Sequence, residues 1–199
     1  MGADAPMTQG RDAAPRRFVL LDRDGTINEE VGHLSHPDEI RLIPGSAEAI
    51  VRLRESGLGI VIITNQANVG RGLLSAQTLQ EIHRRLVDVL ATEGAEVDGV
   101  LHCPHSPEVG CLCRKPAPGM AIDAAARFSF DPSHSFVVGD HAGDAGLGRA
   151  IGAITILVLT GHGADERARA VDRGLVDHVA PDLAAAADII TTLVEQEAR

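Results

Sequence analysis

The fold follows from one stretch near the start of the chain, Phe18-Val19-Leu20-Leu21-Asp22-Arg23-Asp24-Gly25-Thr26. Its first four residues form a short apolar run, which is typical of a strand buried on both faces. The run leads into two carboxylates two positions apart, and extended geometry places these on the same side of the chain. Gly25 permits a sharp turn after the second of them. The stretch therefore predicts a buried strand that delivers two acidic side chains at its carboxyl end.

Strand and helix signals alternate along the rest of the chain. Further buried strands are predicted over residues 59–63, 99–102, 135–138 and 155–159. Helices are predicted from Ser46 and Ser75, each as the capping residue, and over residues 118–127, 144–150 and 183–195. Strands that alternate with helices and are apolar on both faces indicate a parallel sheet covered on both sides. The predicted fold class is therefore α/β, a Rossmann-like three-layer sandwich.

Composition and charge limit the domain organisation and the partners. Residues 1–16 are rich in Ala, Pro, Asp and Arg without periodicity and predict a disordered tail, so residues 17–199 form a single domain. The formal net charge of -10 opposes binding to nucleic acid or to an anionic membrane. No apolar run has the length of a membrane span or the form of a secretory signal. We therefore expect a cytoplasmic monomer that binds neither nucleic acid nor membrane.

Two further strands end in polar residues that suit phosphoryl chemistry. The second strand runs into Thr64-Asn65-Gln66, and the strand at 135–138 runs into Gly139-Asp140, with Asp144 further on. Parallel sheets bind ligands at the carboxyl ends of their strands, so these clusters are expected to face one crevice together with the first two carboxylates. Compact sets of oxygen ligands favour Mg²⁺.

Single motifs of these clusters are open to more than one interpretation. Asp22 and Asp24 suit a nucleophile and a general acid/base, although residues 22–26 alone fit a turn with a helix cap equally well. A calcium loop is excluded because the later acidic ligands are absent. Arg114 and Lys115 offer positive charge for a phosphate. His83 lies on the polar side of the helix that starts after Ser75 and is expected to be solvated.

The three cysteines form one cluster with a histidine. The cluster consists of Cys103, His105, Cys111 and Cys113. Three cysteines and one histidine are a common four-coordinate zinc set, and the closeness of Cys111 to Cys113 disfavours a disulfide. No coordination position is left open, so the pattern predicts a structural Zn²⁺ that folds the loop, with free thiols as the alternative.

In their order along residues 18–144, these motifs resemble the haloacid dehalogenase (HAD) superfamily of phosphatases. Within it, Thr64-Asn65-Gln66, Arg71-Gly72 and the Cys/His loop with Arg114-Lys115-Pro116 are similar to the heptose bisphosphate phosphatases. The histidinol-phosphate phosphatases are close relatives with the same zinc loop. The resemblance implies a HAD-type sandwich in which the zinc loop stands in for a larger cap domain.

The resemblance also implies a role for each residue of the reaction. Asp22 attacks phosphorus and becomes an aspartyl phosphate, and Asp24 protonates the leaving oxygen and then activates water. Mg²⁺ is held by Asp22, by the main-chain carbonyl of Asp24 and by Asp140. Thr64 and Lys115 bind the phosphoryl oxygens.

The substrate implied by the resemblance is a small phosphorylated sugar, a heptose 1,7-bisphosphate that loses its 7-phosphate on the way to a nucleotide-heptose. The residues implied to contact it are Glu30, Val31, Gly32, His33, Asn65, Gln66, Ala67 and Arg114. Histidinol phosphate is the alternative substrate, and the heptose anomer is open. A nucleic-acid 3′-phosphatase is disfavoured by the acidic charge and by the absence of Trp and Tyr. A non-catalytic zinc module does not account for the polar clusters at the strand ends.

Overall fold

The computed structural model describes residues 16–197, and its centre is one parallel sheet. The strands are β1 (Phe18–Leu21), β2 (Gly59–Asn65), β3 (Gly99–Cys103), β4 (Phe136–Gly139), β5 (Ile154–Val158) and β6 (His178–Ala180). Their order across the sheet is β3-β2-β1-β4-β5-β6, and every neighbouring pair is parallel. The strand order therefore reverses between β1 and β4, which is where doubly wound sheets open a crevice for ligands.

Helices cover both faces of the sheet. They are α1 (Ser46–Glu55), α2 (Ala67–Gly70), α3 (Ala76–Thr92), α4 (Gly119–Phe128), α5 (Ala142–Ile151), α6 (Gly163–Asp172) and α7 (Leu183–Glu197). Buried residues of α1, α3 and α7 pack on one face, and those of α4 and α5 pack on the other. The predicted three-layer α/β sandwich is confirmed.

Strand β1 is buried along its whole length, as its apolar run predicts. Val19 and Leu21 belong to the core under α1, α3 and α7, whereas Phe18 and Leu20 face α4 and α5. The alternation follows from the two-residue period of a strand. The amide of Asp22 still donates to Val138 O at 2.9 Å, so the sheet itself holds the first carboxylate in place.

Most predicted strands and helices differ from the structure at their ends by one or two residues. Strand β2 runs to Asn65, two residues further than predicted, because Thr64 and Asn65 stay paired with β3. The prediction that Ser46 caps α1 is wrong, since Gly45 with a φ of 82° occupies the capping position. The Ser46 hydroxyl is buried and donates to Ile27 O at 3.1 Å. Ser75 caps α3 as predicted, accepting from Thr78 N at 2.9 Å.

The sequence did not predict α6 or β6, and the expectation for His83 is wrong. Helix α6 buries only Gly163 and Ala170, so it carries no apolar stripe, and β6 has three residues. His83 is 8% exposed, and its ring centroid lies 5.3 Å from that of His102 on β3. Helix α3 lies against β3, the edge strand of the sheet, at this point. His83, which lies next to the apolar stripe of α3, is therefore buried as well.

Residues 1–15 of the predicted tail lie outside the described residues. Arg16 is described, and its guanidinium donates to the carbonyls of Gly57 and Leu58 at 3.2 and 2.7 Å. Among residues 16–197, no helix combines the length and the apolar composition needed to cross a membrane.

Candidate active site and metal centres

The carboxyl ends of β1, β2 and β4 meet at a cavity of about 680 Å³. Its lining includes Asp22, Asp24, Thr64, Asp140 and Asp144. The three polar clusters that the sequence places after separate strands are thus brought to one crevice. Parallel strands with a reversal of order beside β1 are the reason, since they present their ends at one edge.

Lys115 forms the positively charged wall of this cavity. Its Nζ lies 2.7 Å from Asp22 Oδ1 and 2.6 Å from Asp144 Oδ1, and it donates to Ile63 O at 2.8 Å. Burial favours a lower pKa for Lys115, but the carboxylates of Asp144 and Asp22 outweigh it and hold the pKa above its ordinary value. The side chain is therefore a fixed positive charge directed at the first carboxylate.

Asn65 fixes the main chain of that lysine. Its Nδ2 donates to Lys115 O at 3.2 Å, and Lys115 N donates to Asn65 Oδ1 at 3.1 Å. The peptide bond between Lys115 and Pro116 is cis. Asn65 lines the cavity as expected of a substrate-side residue, but both ends of its amide are engaged in positioning Lys115.

Three carboxylates crowd the floor of the cavity. Asp22, Asp140 and Asp144 each present an oxygen within 4.8 Å of the others. Burial raises the pKa of Asp22, a rise that Lys115 opposes and the two neighbouring carboxylates reinforce. Burial likewise raises the pKa of Asp140 to about 6. One ammonium does not balance three carboxylates, and a divalent cation with oxygen ligands would, so the donor set fits Mg²⁺.

The loop after β5 closes the site around Asp140. His162 N donates to Asp140 Oδ2 at 2.7 Å, and Thr160 Oγ1 donates to Gly25 O at 2.6 Å. A Cβ on Gly25 or on Gly161 would lie 2.1 or 2.2 Å from Asp140 Oδ2. Only glycine fits at either place, and both have a positive φ. The sequence predicts only a turn at residues 161–163, because its role depends on a contact with a distant strand.

Asp24, the second carboxylate after β1, is held in place by Arg23 and by Gln66. Arg23 donates to Asp24 through Nε to Oδ1 at 2.9 Å and through its second terminal nitrogen to Oδ2 at 2.5 Å. Gln66 Nε2 donates to Asp24 Oδ2 at 3.1 Å and to Thr64 Oγ1 at 2.8 Å. Arg23 received no role from the sequence, since the middle position of the Asp-x-Asp motif carries no signal that its side chain turns inward.

A second cavity of about 210 Å³ adjoins the first on the side of Asp24. Asp24, Glu30 and Asn65 line both cavities and lie between them. The residues predicted to contact substrate surround the pair: Glu30, Val31, Gly32, His33, Asn65, Gln66 and Ala67 line the smaller cavity, and Arg114 lines the larger. Asn68 and Arg71 also line the smaller cavity.

The four predicted zinc ligands converge in the structure. Cys103 Sγ lies 3.5 Å from Cys111 Sγ and 3.2 Å from Cys113 Sγ, and His105 Nδ1 lies 3.2 Å from Cys113 Sγ. Ligands of a tetrahedral zinc with bonds of about 2.3 Å stand about 3.8 Å apart, so the four atoms enclose a site of that size. Burial and the neighbouring thiols raise the pKa of Cys113 to about 12, so the thiolate form of this residue needs a cation beside it. The cluster could hold Zn²⁺.

This loop, residues 103–113, packs directly on the active site. Gln66 N donates to Cys103 O, and Gly70 N donates to Pro104 O, both at 2.7 Å. A Cβ on Gly70 would lie 2.7 Å from the same Pro104 oxygen, so α2 and the loop are in backbone contact. Lys115 follows the last cysteine by two residues. One residue, Arg114, therefore separates the cluster from the lysine of the active site.

Comparisons with known proteins agree with this geometry. The chain is 37% identical to the D-glycero-beta-D-manno-heptose-1,7-bisphosphate 7-phosphatase of Pseudomonas aeruginosa over 176 residues, which cover 88% of this chain and 98% of that protein. It is 39% identical to the enzyme of the same name from Bordetella bronchiseptica, with 86% and 96% covered.

Solved structures and a family model point the same way. The crystal structure of D,D-heptose 1,7-bisphosphate phosphatase from B. bronchiseptica, complexed with magnesium and phosphate, matches with a TM-score of 0.82 and 38% identity, over 89% of this chain and 99% of that one. The HAD-hydrolase-like family model matches residues 112–186. The chain therefore belongs to the D-glycero-beta-D-manno-heptose-1,7-bisphosphate 7-phosphatase family of HAD-like hydrolases.

Proposed function

We propose that this enzyme removes the 7-phosphate of a D-glycero-D-manno-heptose 1,7-bisphosphate through an aspartyl phosphate on Asp22, with Mg²⁺ as cofactor. The observation that carries the proposal is the carboxylate of Asp22 at the cavity floor, 2.7 Å from a buried ammonium and within a carboxylate set that fits Mg²⁺. The names of the relatives support the substrate.

In the first half of the reaction Asp22 acts as the nucleophile. One of its oxygens forms a bond to phosphorus, and the bond from phosphorus to the sugar oxygen breaks. Asp24 gives its proton to that oxygen, so the sugar leaves as an alcohol. Mg²⁺, bound by Asp22, Asp140 and the main-chain carbonyl of Asp24, supplies positive charge to the phosphoryl oxygens. Lys115 and the Thr64 hydroxyl hold the same oxygens as charge shifts in the transition state.

In the second half Asp24 acts as a base. It takes a proton from a water molecule, which attacks phosphorus, and the bond from phosphorus to Asp22 breaks. Inorganic phosphate leaves, and both carboxylates return to their starting state. The paired donation by Arg23 holds the carboxyl group of Asp24 in a fixed orientation for this step.

The sugar and its remaining phosphate are assigned to the smaller cavity and its rim. Asp24 protonates the leaving oxygen, so the sugar lies on the side of phosphorus that faces Asp24. The smaller cavity is on that side, since Asp24 lines it. Arg71 lines the smaller cavity and Arg114 lines the larger. Both also lower the pKa of the exposed Glu108 carboxylate, after the hydrogen bonds from the Ser106 hydroxyl and from the main chain. Two guanidinium groups near one carboxylate suit a second anionic group of the substrate.

The test is phosphate release with Mg²⁺, comparing the two anomers of heptose 1,7-bisphosphate with histidinol phosphate. We expect kcat/KM to favour one heptose anomer at least about a hundredfold over histidinol phosphate, about 2.7 kcal/mol of transition-state binding. A higher kcat/KM for histidinol phosphate would overturn the assignment of substrate and leave the chemistry of Asp22 in place.

We also propose that the cluster of three cysteines and His105 binds a structural Zn²⁺. Cys111→Ser is expected to lower the bound zinc and to reduce kcat/KM at least about tenfold, because Lys115 loses the loop that places it. Metal analysis and phosphate release check this, with Ser106→Ala in the same loop as the matched control that keeps its zinc. Full activity in protein shown to be free of zinc would contradict the proposal.

A cytoplasmic monomer is proposed as well. A phosphorylated sugar substrate and three unpaired cysteines at a metal site both suit a reducing compartment. Light scattering of the purified enzyme measures the oligomeric state, and a stable dimer would contradict this part of the proposal.

A further inference from the structure

A polar cluster with two buried side chains lies behind Asp24. It consists of Arg23, His83 on α3 and His102 on β3. Arg23 is 1% exposed and His83 is 8% exposed. Two nitrogens of Arg23 donate to Asp24, but its remaining terminal nitrogen, Nη1, is buried and has no hydrogen-bond partner among the described residues. His83 Nε2 is likewise buried and has no hydrogen-bond partner among the described residues.

The two unpartnered atoms have complementary chemistry. A guanidinium nitrogen can only donate, whereas a neutral imidazole offers one ring nitrogen as an acceptor. Burial, together with the charge of Arg23 and the nearby His102, lowers the pKa of His83 to about 3, so its ring is neutral. The His83 ring lies 5.3 Å from that of His102, which pairs across the sheet with Thr64, and the Gln66 amide joins Thr64 to the Asp24 carboxylate that Arg23 holds. The charge of Arg23 acts on both rings, in keeping with a guanidinium in their neighbourhood. Buried donors and acceptors are paired in almost every native protein.

We infer that His83 is a positioning residue for Asp24: one buried water molecule accepts a hydrogen bond from Arg23 Nη1 and donates one to His83 Nε2. The inference rests on the proposed function, because the proton transfers of Asp24 are part of it. The chain of contacts runs from the active-site carboxylate through the guanidinium to α3. His83 thereby holds Arg23 in the orientation in which both of its other nitrogens reach Asp24.

The orientation matters because Asp24 must give and take protons at set positions. A proton donor has to lie within hydrogen-bond distance of the leaving oxygen, and small misplacements reduce rates strongly. Gln66 holds only one oxygen of Asp24, so a loosened Arg23 leaves that carboxylate free to rotate. The predicted consequence is a loss in kcat, with binding of the phosphate group by Lys115 and Thr64 unchanged.

The kinetic test compares two substitutions of His83. In His83→Phe, which keeps a ring but removes the acceptor, kcat is expected to fall about tenfold with KM within about twofold. His83→Gln retains an acceptor oxygen and is expected to keep kcat within about threefold of the wild type. Leu86→Val, in the core on the same helix, is the control for lost packing and should leave kcat unchanged.

A second measurement needs no substrate and separates this inference from the proposed function. Nitrogen-15 NMR of the wild-type enzyme is expected to show His83 Nε2 without a proton, at a resonance that shifts in Arg23→Lys. A protonated Nε2 overturns the inference, whatever the substrate proves to be. Equal losses of kcat in His83→Phe and His83→Gln overturn it too, because packing alone would then explain the effect.

Discussion

Asp22→Asn is expected to lower kcat at least about 10⁴-fold while the protein stays folded. The amide has the shape of the carboxylate but cannot attack phosphorus, so no aspartyl phosphate forms. Burial already raises the pKa of Asp22, so a neutral group at this place does not strain the fold, and Lys115 keeps its contact with Asp144. Phosphate release by matched amounts of enzyme measures the loss, and circular dichroism checks the fold.

The control for this substitution is Asp38→Asn, at a carboxylate whose side chain is 84% exposed, which should leave kcat unchanged. Mass spectrometry of acid-quenched wild-type enzyme should show one added phosphoryl group, and the variant should show none. Asn can revert to Asp by deamidation, so the mass of the variant is verified before the assay. An Asp22→Asn enzyme that retains more than about a hundredth of the activity would refute a nucleophilic role for Asp22.

Lys115→Met is expected to lower both activity and stability. Lys115 is the single lysine of the chain, and no other described ammonium can take its place beside Asp22. We expect kcat to fall about 10³-fold, because the transition state loses a buried positive charge. The free energy of unfolding should fall by about 3 kcal/mol at neutral pH, because two buried carboxylates lose their partner.

The pH dependence of this variant has a definite sign. Burial already raises the pKa of Asp22 in the folded state, and loss of the ammonium, which opposes that rise, raises this pKa further above its unfolded-state value. Groups of this kind contribute stability below their unfolded pKa and lose it as the pH rises, so Lys115→Met should be less destabilised at about pH 5 than at about pH 8. Chemical denaturation without Mg²⁺ at the two values tests this. Equal destabilisation at both would show that the lysine acts through packing rather than charge.

The residues with a visible pattern along the chain could be placed from the sequence. The apolar run before Asp22 predicts β1, and the polar residues that follow β2 and β4 predict that Thr64 and Asp140 face the same crevice. The spacing of Cys103, His105, Cys111 and Cys113 predicts a four-ligand cluster. These features are local, because a strand period or a ligand spacing is set by neighbours in the chain.

The remaining features depend on contacts between distant segments. Arg23 and His83 are polar residues that nothing in the sequence predicts to be buried. The packing of α3 against β3 encloses His83, and the loop after β1 turns Arg23 inward. Helix α6 and the loop after β5, which contains Gly161, carry no apolar pattern. The close approach of this loop to Asp140 sets their position. The sequence thus predicted which polar residues meet at the carboxyl ends of the strands, whereas the order of the strands across the sheet is visible only in the structure. Which polar groups surround Asp24 and Asp140 was decided by tertiary packing, because burial and hydrogen-bond pairing are properties of the assembled core.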